Sequence, residues 1–143
     1  MSRTILEVRD VTRRFGGLVA VNGVGFDVTE RQGMGIIGPN GSGKTTMMNM
    51  ISGVFPPSAG SIRLTGRELV GLPAHRIARL GVGRTFQLVR LLPEMNVADN
   101  VLAGAVFGHR RRWGPEARRF VAGLLERVGL GHAGALPVSA LTY

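Results

Sequence analysis

The chain has 143 residues, 44% hydrophobic and 19% charged, enough for a modest domain with a real core and too apolar for a disordered segment. It has no cysteine, which excludes disulfides, zinc–thiolate sites and thiol nucleophiles. The formal charge is +9, but 17 of the 18 basic residues are arginines spread along the chain; a general arginine bias explains this as well as a nucleic-acid role, and no nucleic-acid partner is expected.

In chain order, residues 1–7 lack the apolar core of a secretory signal. Ile5 to Val11 alternates apolar and polar residues, which predicts a strand with one wet face. Arg13 to Gly17 predicts a turn, and Val24 to Val28 a second strand. The apolar run Met34 to Gly38 predicts a short strand that opens into a glycine-rich loop. From Lys44 the pattern turns helical, with Met47, Met48, Met50 and Ile51 apolar and Gly53 placed to close the helix. Pro56–Pro57–Ser58 breaks the chain before a strand at Ser61 to Leu64, closed by Thr65–Gly66. A helix is predicted over 74–80 with Pro73 near its start, then a strand over Gly83 to Phe86.

Two further helices are predicted, Val97 to Val106 and Glu116 to Val128, separated by a basic loop and ended by Gly129. The longest apolar stretch, Val101 to Gly108, is far below the ~20 residues of a spanning helix, so a soluble, cytoplasmic chain is expected. His75, His109 and His132 are too dispersed to suggest a metal motif.

Gly38–Pro39–Asn40–Gly41–Ser42–Gly43–Lys44–Thr45 satisfies the phosphate-loop pattern G-x-x-x-x-G-K-[ST] in full. Its glycines permit backbone angles that turn successive N–H groups inward around an anion. The following helix aims its N-terminus, worth roughly half a positive charge, at the same place. Lys44 is the single lysine of the chain. An ammonium is a compact point charge that fits inside a small loop where a planar guanidinium does not. It can reach the β- and γ-phosphates, and a unit-charge pair at about 4 Å is worth roughly 4 kcal/mol at an effective dielectric near 20. The Thr45 hydroxyl suits Mg²⁺. By itself such a loop leaves nucleotide kinases, GTPases, DNA-repair ATPases and transport ATPases open.

Gly38 to Thr46, with its neighbours, resembles the Walker A segment of ATP-binding-cassette (ABC) ATPases. The resemblance continues through Phe15 to Val21, Gly60 to Gly66, Ala78 to Gly81 and Gly83 to Val97. Within that family, Arg84–Thr85–Phe86–Gln87 and Pro93–Glu94–Met95–Asn96–Val97 look most like the ATPase subunit of branched-chain amino-acid importers, with urea and short-chain amide importers sharing them. The resemblance implies an α/β fold, the P-loop NTPase core of an ABC nucleotide-binding domain. An antiparallel β-subdomain and an incomplete RecA-like core would fill about 1–90, and the start of an α-helical subdomain about 91–143.

It also implies ATP and Mg²⁺ as cofactors. Gln87 resembles the Q-loop glutamine that touches Mg²⁺ or the attacking water, and Phe15 resembles the aromatic residue that stacks on adenine. The implied partners are a second ABC ATPase subunit, identical or not, and transmembrane permease subunits docking around Gln87 to Met95. The implied place is the cytoplasmic face of a bacterial inner membrane. Arg110–Arg111–Arg112 with Trp113 reads first as a solvated basic loop, with contact to lipid phosphates or the membrane partner as the alternative.

One part of the family pattern is missing. No apolar strand ending in Asp–Glu follows the phosphate loop, no switch histidine follows, and Leu141–Thr142–Tyr143 looks like the opening of the family signature cut before its glycines. The expectation is a truncated cassette that binds Mg-ATP weakly at best and does not hydrolyse it alone. A P-loop ATPase associated with nucleic acid, or a nonhydrolytic ABC fragment, stands as the alternative.

Overall fold

The computed structural model describes residues 2–86, 91–108 and 110–141. The chain forms two compact units, Met1–Gly83 and Arg84–Tyr143.

The first unit is built on an antiparallel sheet of order β2-β1-β3-β4: β1 (Thr4–Phe15), β2 (Leu18–Thr29), β3 (Ala59–Leu64) and β4 (Arg67–Glu68). Strand β1 is central, and its Val8 and Val11 are fully buried. These two residues are three apart, so a regular pleat would send them to opposite faces. A bulge reconciles them. The pairing shifts between Val8 and Val11, and Asp10 takes a left-handed conformation (φ 48°), which returns Val11 to the core face. Gly60 lies against this bulge at φ +90°; a Cβ there would come within 2.5 Å of the carbonyl oxygens of both Arg9 and Asp10.

Helix α1 (Lys44–Ile51) buries Met47, Met50 and Ile51, an i, i+3, i+4 stripe, into a core with Val8, Val11, Val21, Ile62, Leu69 and Ile77. Burying each such side chain is worth about 1.5–3 kcal/mol. The helix closes as expected at Gly53 (φ +73°), with Val54 N–H donating to Asn49 O at 2.9 Å and Gly53 N–H to Met50 O at 3.2 Å. A Cβ there would also crowd Ile77 Cδ1 at 2.6 Å and the Ala74 backbone at 3.2–3.3 Å. Helix α2 (Ala74–Arg79) follows Pro73 and contributes Ile77 to the same core.

The strands run longer than expected: β1 continues through Phe15, so the turn is Gly16–Gly17 alone, and β2 begins at Leu18. The strands expected over 34–38 and 83–86 are absent from the sheet. A strand needs a ladder partner as well as apolar residues, and none of the described strands runs beside either segment. Ile37 is accordingly 94% exposed.

The second unit is helical: α3 (Val97–Phe107) packs on α4 (Gly114–Arg127), followed by 3₁₀ turns at Gly131–Ala133 and Val138–Ala140. Its core is Val97, Val121, Leu125 and Val138, with Val101, Leu102 and Leu130 around them. Asn96 caps α3, its Oδ1 accepting from Asp99 N–H at 2.7 Å. The segment 134–136 satisfies two more donors of that first turn: Val97 N–H donates to Leu136 O (3.0 Å) and Ala98 N–H to Gly134 O (2.9 Å). Helix α4 starts two residues before the expected Glu116 because Pro115 suits its first turn. No described helix is long and apolar enough to cross a membrane.

Candidate functional site

Residues 38–43 form an irregular loop leading into α1, and three of its glycines hold angles other residues avoid: Gly38 (φ 155°), Gly41 (84°) and Gly43 (87°). At Gly43 the requirement is also one of space. A Cβ there would stand 2.5 Å from Ala20 O and 3.0 Å from Val21 Cγ2, so the loop rests directly on β2. Behind Gly43 the helix begins at once, with Met47 N–H donating to Gly43 O at 2.8 Å. The N–H groups of the first turn, Lys44, Thr45 and Thr46, have no carbonyl four residues earlier in the helix to bond.

The electrostatics of this helix start are unusual. The first turn carries no acidic residue, and its first residue is Lys44, a cation at the positive pole of the helix. The ammonium folds back over the loop and donates to Gly38 O and Pro39 O, both at 2.7 Å. A cation, the amide donors of a helix start and three glycines at positive φ thus fall within one short segment, residues 38–46, a combination suited to an anion. Asn40, Gly41 and Ser42 are exposed along it, and Ser42 N–H braces the turn by donating to Pro39 O at 3.3 Å. Thr45 is exposed one residue into the helix.

Phe15 ends β1 at the hairpin turn before β2, on which Gly43 rests. It is 42% exposed and meets Phe55 edge-to-face, centroids 5.4 Å apart at 86°. The sequence reading missed the group that organises this pair. The Arg13 guanidinium lies 4.6 Å from the Phe15 centroid and 4.7 Å from that of Phe55, and Nη1 donates to Pro56 O at 2.7 Å. The signal was available: Arg13 and Phe15 are two apart on one strand and share a face. The same stretch is fastened by Ser58, whose N–H donates to Thr12 O (2.8 Å) and whose Oγ accepts from Arg14 N–H (3.1 Å).

Gln87 lies outside the described residues, as do residues 88–90 of the expected docking segment. Of that segment, Leu91, Leu92 and Met95 are 41–47% exposed, and Asn100 of α3 holds it by accepting from Leu92 N–H (2.8 Å) and donating to Leu92 O (3.1 Å) and Met95 O (3.2 Å). Among the described residues no cluster of three or more His, Cys, Asp or Glu side chains could hold a metal ion.

The sequence profile of the ABC transporter family matches residues 21–142. The chain belongs to that family. The cassette is 46% identical over 159 aligned positions to the high-affinity branched-chain amino acid transport ATP-binding protein BraF of Pseudomonas aeruginosa, covering all of this chain and 61% of BraF. It is 43% identical to the LivG protein of the same description from Salmonella typhimurium, with the same coverage. The chain therefore spans about three fifths of the length of these relatives. Among solved structures, the cassette superposes on the ADP conformation of MJ1267, an ATP-binding cassette of an ABC transporter, with a TM-score of 0.84 and 26% identity, over 99% of this chain and 60% of that one. It shares the fold of the cassette MJ0796, solved as a post-hydrolysis dimer bound to ADP and Pi, with a TM-score of 0.83 at 23% identity over 96% of this chain and 63% of that one. The α/β cassette fold expected from the sequence is thus the observed one.

Proposed function

We propose that this cassette binds ATP, with the triphosphate on the rim formed by Gly38 to Thr46 and the adenine against Phe15, as part of the ATPase subunit of an importer for branched-chain amino acids. The single observation that carries the reading is the helix start at Lys44: an ammonium turned back onto the loop, first-turn amides with no carbonyl four residues earlier in the helix, and no acid in the first turn. The family adds the nucleotide, and the two relatives described as branched-chain amino acid transport proteins suggest the solute.

On binding, the Lys44 ammonium exchanges the two loop carbonyls for phosphate oxygens, and the amides of Gly41 to Thr46 supply the remaining donors. The Thr45 hydroxyl is a hard oxygen donor of the kind Mg²⁺ prefers, and Gln87 would add a second; the ion would neutralise phosphate charge. Phe15 offers a half-exposed ring face to the base. Exposed Leu91, Leu92 and Met95 suit an apolar contact with a permease, and a second cassette would complete the nucleotide site.

The test is titration of the purified chain with ATP and with inorganic pyrophosphate. Lys44→Ala is expected to abolish binding of both. Phe15→Ala is expected to weaken ATP roughly tenfold, the value of one stacked base, and to leave pyrophosphate unchanged. Unchanged affinity in Lys44→Ala would remove the phosphate assignment, and equal weakening of both ligands by Phe15→Ala would make that ring purely structural.

A further inference from the structure

The loop joining α3 to α4 includes none of the residues assigned above to the nucleotide, yet its composition is far from that of a plain connector. Five arginines and one glutamate fall within residues 110–119, a local net charge of +4. The glutamate is already engaged, because Glu116 pairs with Arg112 one helical turn before it. Arg112 is fixed a second time by the Phe120 ring, 4.2 Å from its guanidinium carbon, and a third time by its N–H, which donates to Ala105 O at 3.0 Å. The chain therefore returns on itself, and residue 112 is pinned beside the last turn of α3.

This pinning settles what the loop presents. Arg110 and Arg111 are exposed, Arg111 being held at a left-handed φ of 40°. On either side of them stand two large aromatic residues, Phe107 at 70% exposure and Trp113 at 64%. A solvated basic loop gains nothing from two bare aromatic rings, and an apolar protein contact gains little from two exposed arginines. A surface that is anionic at its outer edge and apolar a few ångströms deeper uses both. Aromatic rings, Trp above all, favour the boundary between headgroups and acyl chains, while guanidinium groups bind lipid phosphates.

We propose that the α3–α4 loop is a membrane-surface docking element that takes anionic phospholipid headgroups on Arg110 and Arg111 and seats Phe107 and Trp113 at the interface. The inference is independent of the nucleotide reading, since it uses no residue of that site. One such loop gives weak and reversible attachment, which suits a subunit that is held at a membrane mainly by other contacts.

Trp113 is the one tryptophan of the chain, so its fluorescence reports on this loop alone. Vesicles of phosphatidylcholine with about one third phosphatidylglycerol are expected to shift its emission to the blue, an effect absent with pure phosphatidylcholine and weakened by added salt. Phosphatidylcholine brominated near the top of its acyl chains, mixed into the anionic vesicles, should quench it. Removing both arginines (R110S with R111S) should weaken vesicle binding by roughly 30-fold, about fivefold for each charge, and Phe107→Ser should weaken co-sedimentation without altering the emission of the free chain. No shift on anionic vesicles overturns the proposal, as does undiminished binding after loss of both arginines. An equal shift with heparin or single-stranded DNA, with no quenching by the brominated lipid, would make the loop a general anion or nucleic-acid contact instead.

Discussion

Arg13 is held from three sides, by the Phe15 ring, the Phe55 ring and the Pro56 carbonyl. Each cation–π contact at a half-exposed site is worth about 0.5–1 kcal/mol, and the hydrogen bond about 1 kcal/mol. Its Nε is buried with no hydrogen-bond partner, which offsets part of that gain. Arg13→Met keeps the length of the side chain and removes the charge. The expected result is a loss of about 1–2 kcal/mol in a urea titration, with ATP affinity reduced because Phe15 is no longer fixed and pyrophosphate affinity unchanged. A stability equal to that of the parent chain would show that the guanidinium only covers the rings. The loop over residues 38–43 and the helix start at Lys44 were legible in the sequence because glycine, lysine and threonine at those spacings have few other reasons to occur together. The aromatic platform was half legible: Phe15 was named, whereas Phe55 comes from a segment 40 residues away and only the fold brings it there.

At the scale of elements, the bulge in β1 was invisible to periodicity. Regular alternation would place Val11 on the face of Ile5, opposite Leu6 and Val8; only an inserted residue returns it to theirs, and nothing in the residue types demands that insertion. The strand segments over 34–38 and 83–86 failed for a complementary reason, because apolar character says what wants burial and not whether a ladder partner is present. Gly60 is the counterpart of the bulge. Gly60→Ala should destabilise the first unit by roughly 2–4 kcal/mol, from a forbidden φ combined with backbone contacts that cannot move aside, measured by chemical denaturation; a change below 1 kcal/mol would mean that the bulge opens easily.

Across the same hairpin, Arg9 donates to both carboxylate oxygens of Asp27, at 2.5 and 2.9 Å. The hydrogen bond from Arg9 is the main cause that holds the Asp27 carboxyl below the usual aspartate range, with the charge of Arg9 adding to it. A lowered folded-state pKa gives stability that is present above the unfolded value and is lost as pH falls through the folded one. The difference in urea midpoint between the parent chain and Arg9→Gln should therefore be present at pH 6 and shrink below about pH 4. A difference that stays constant to pH 2 would assign it to packing instead.

For the molecule as a whole, the decisive chemistry is that of carboxylates. Hydrolysis of a phosphoanhydride needs a group that positions or deprotonates water. Beyond the phosphate loop, the first unit has a single carboxylate, Glu68. Its Oε1 accepts from the N–H groups of Ile62 and Val70, both at 3.1 Å, and Oε2 lies 3.4 Å from Arg63 Nε, so it is fully employed in closing the β3–β4 hairpin. The purified 143-residue chain should show no Lys44-dependent release of phosphate from ATP; a clear rate abolished by Lys44→Ala would require a base that this reading does not name.

The family was legible from motifs alone, because the phosphate loop and the segments around Gln87 recur at fixed spacing along most of the chain. The segment containing helix α1 is anchored to the β1–β2 ribbon on both sides: Gly43 abuts Ala20 and Val21 just before the helix, and Pro56 and Ser58, in the loop that follows it, are bonded to Thr12, Arg13 and Arg14. A phosphate bound as proposed at the front of that helix would therefore act on a segment anchored to the ribbon on both sides.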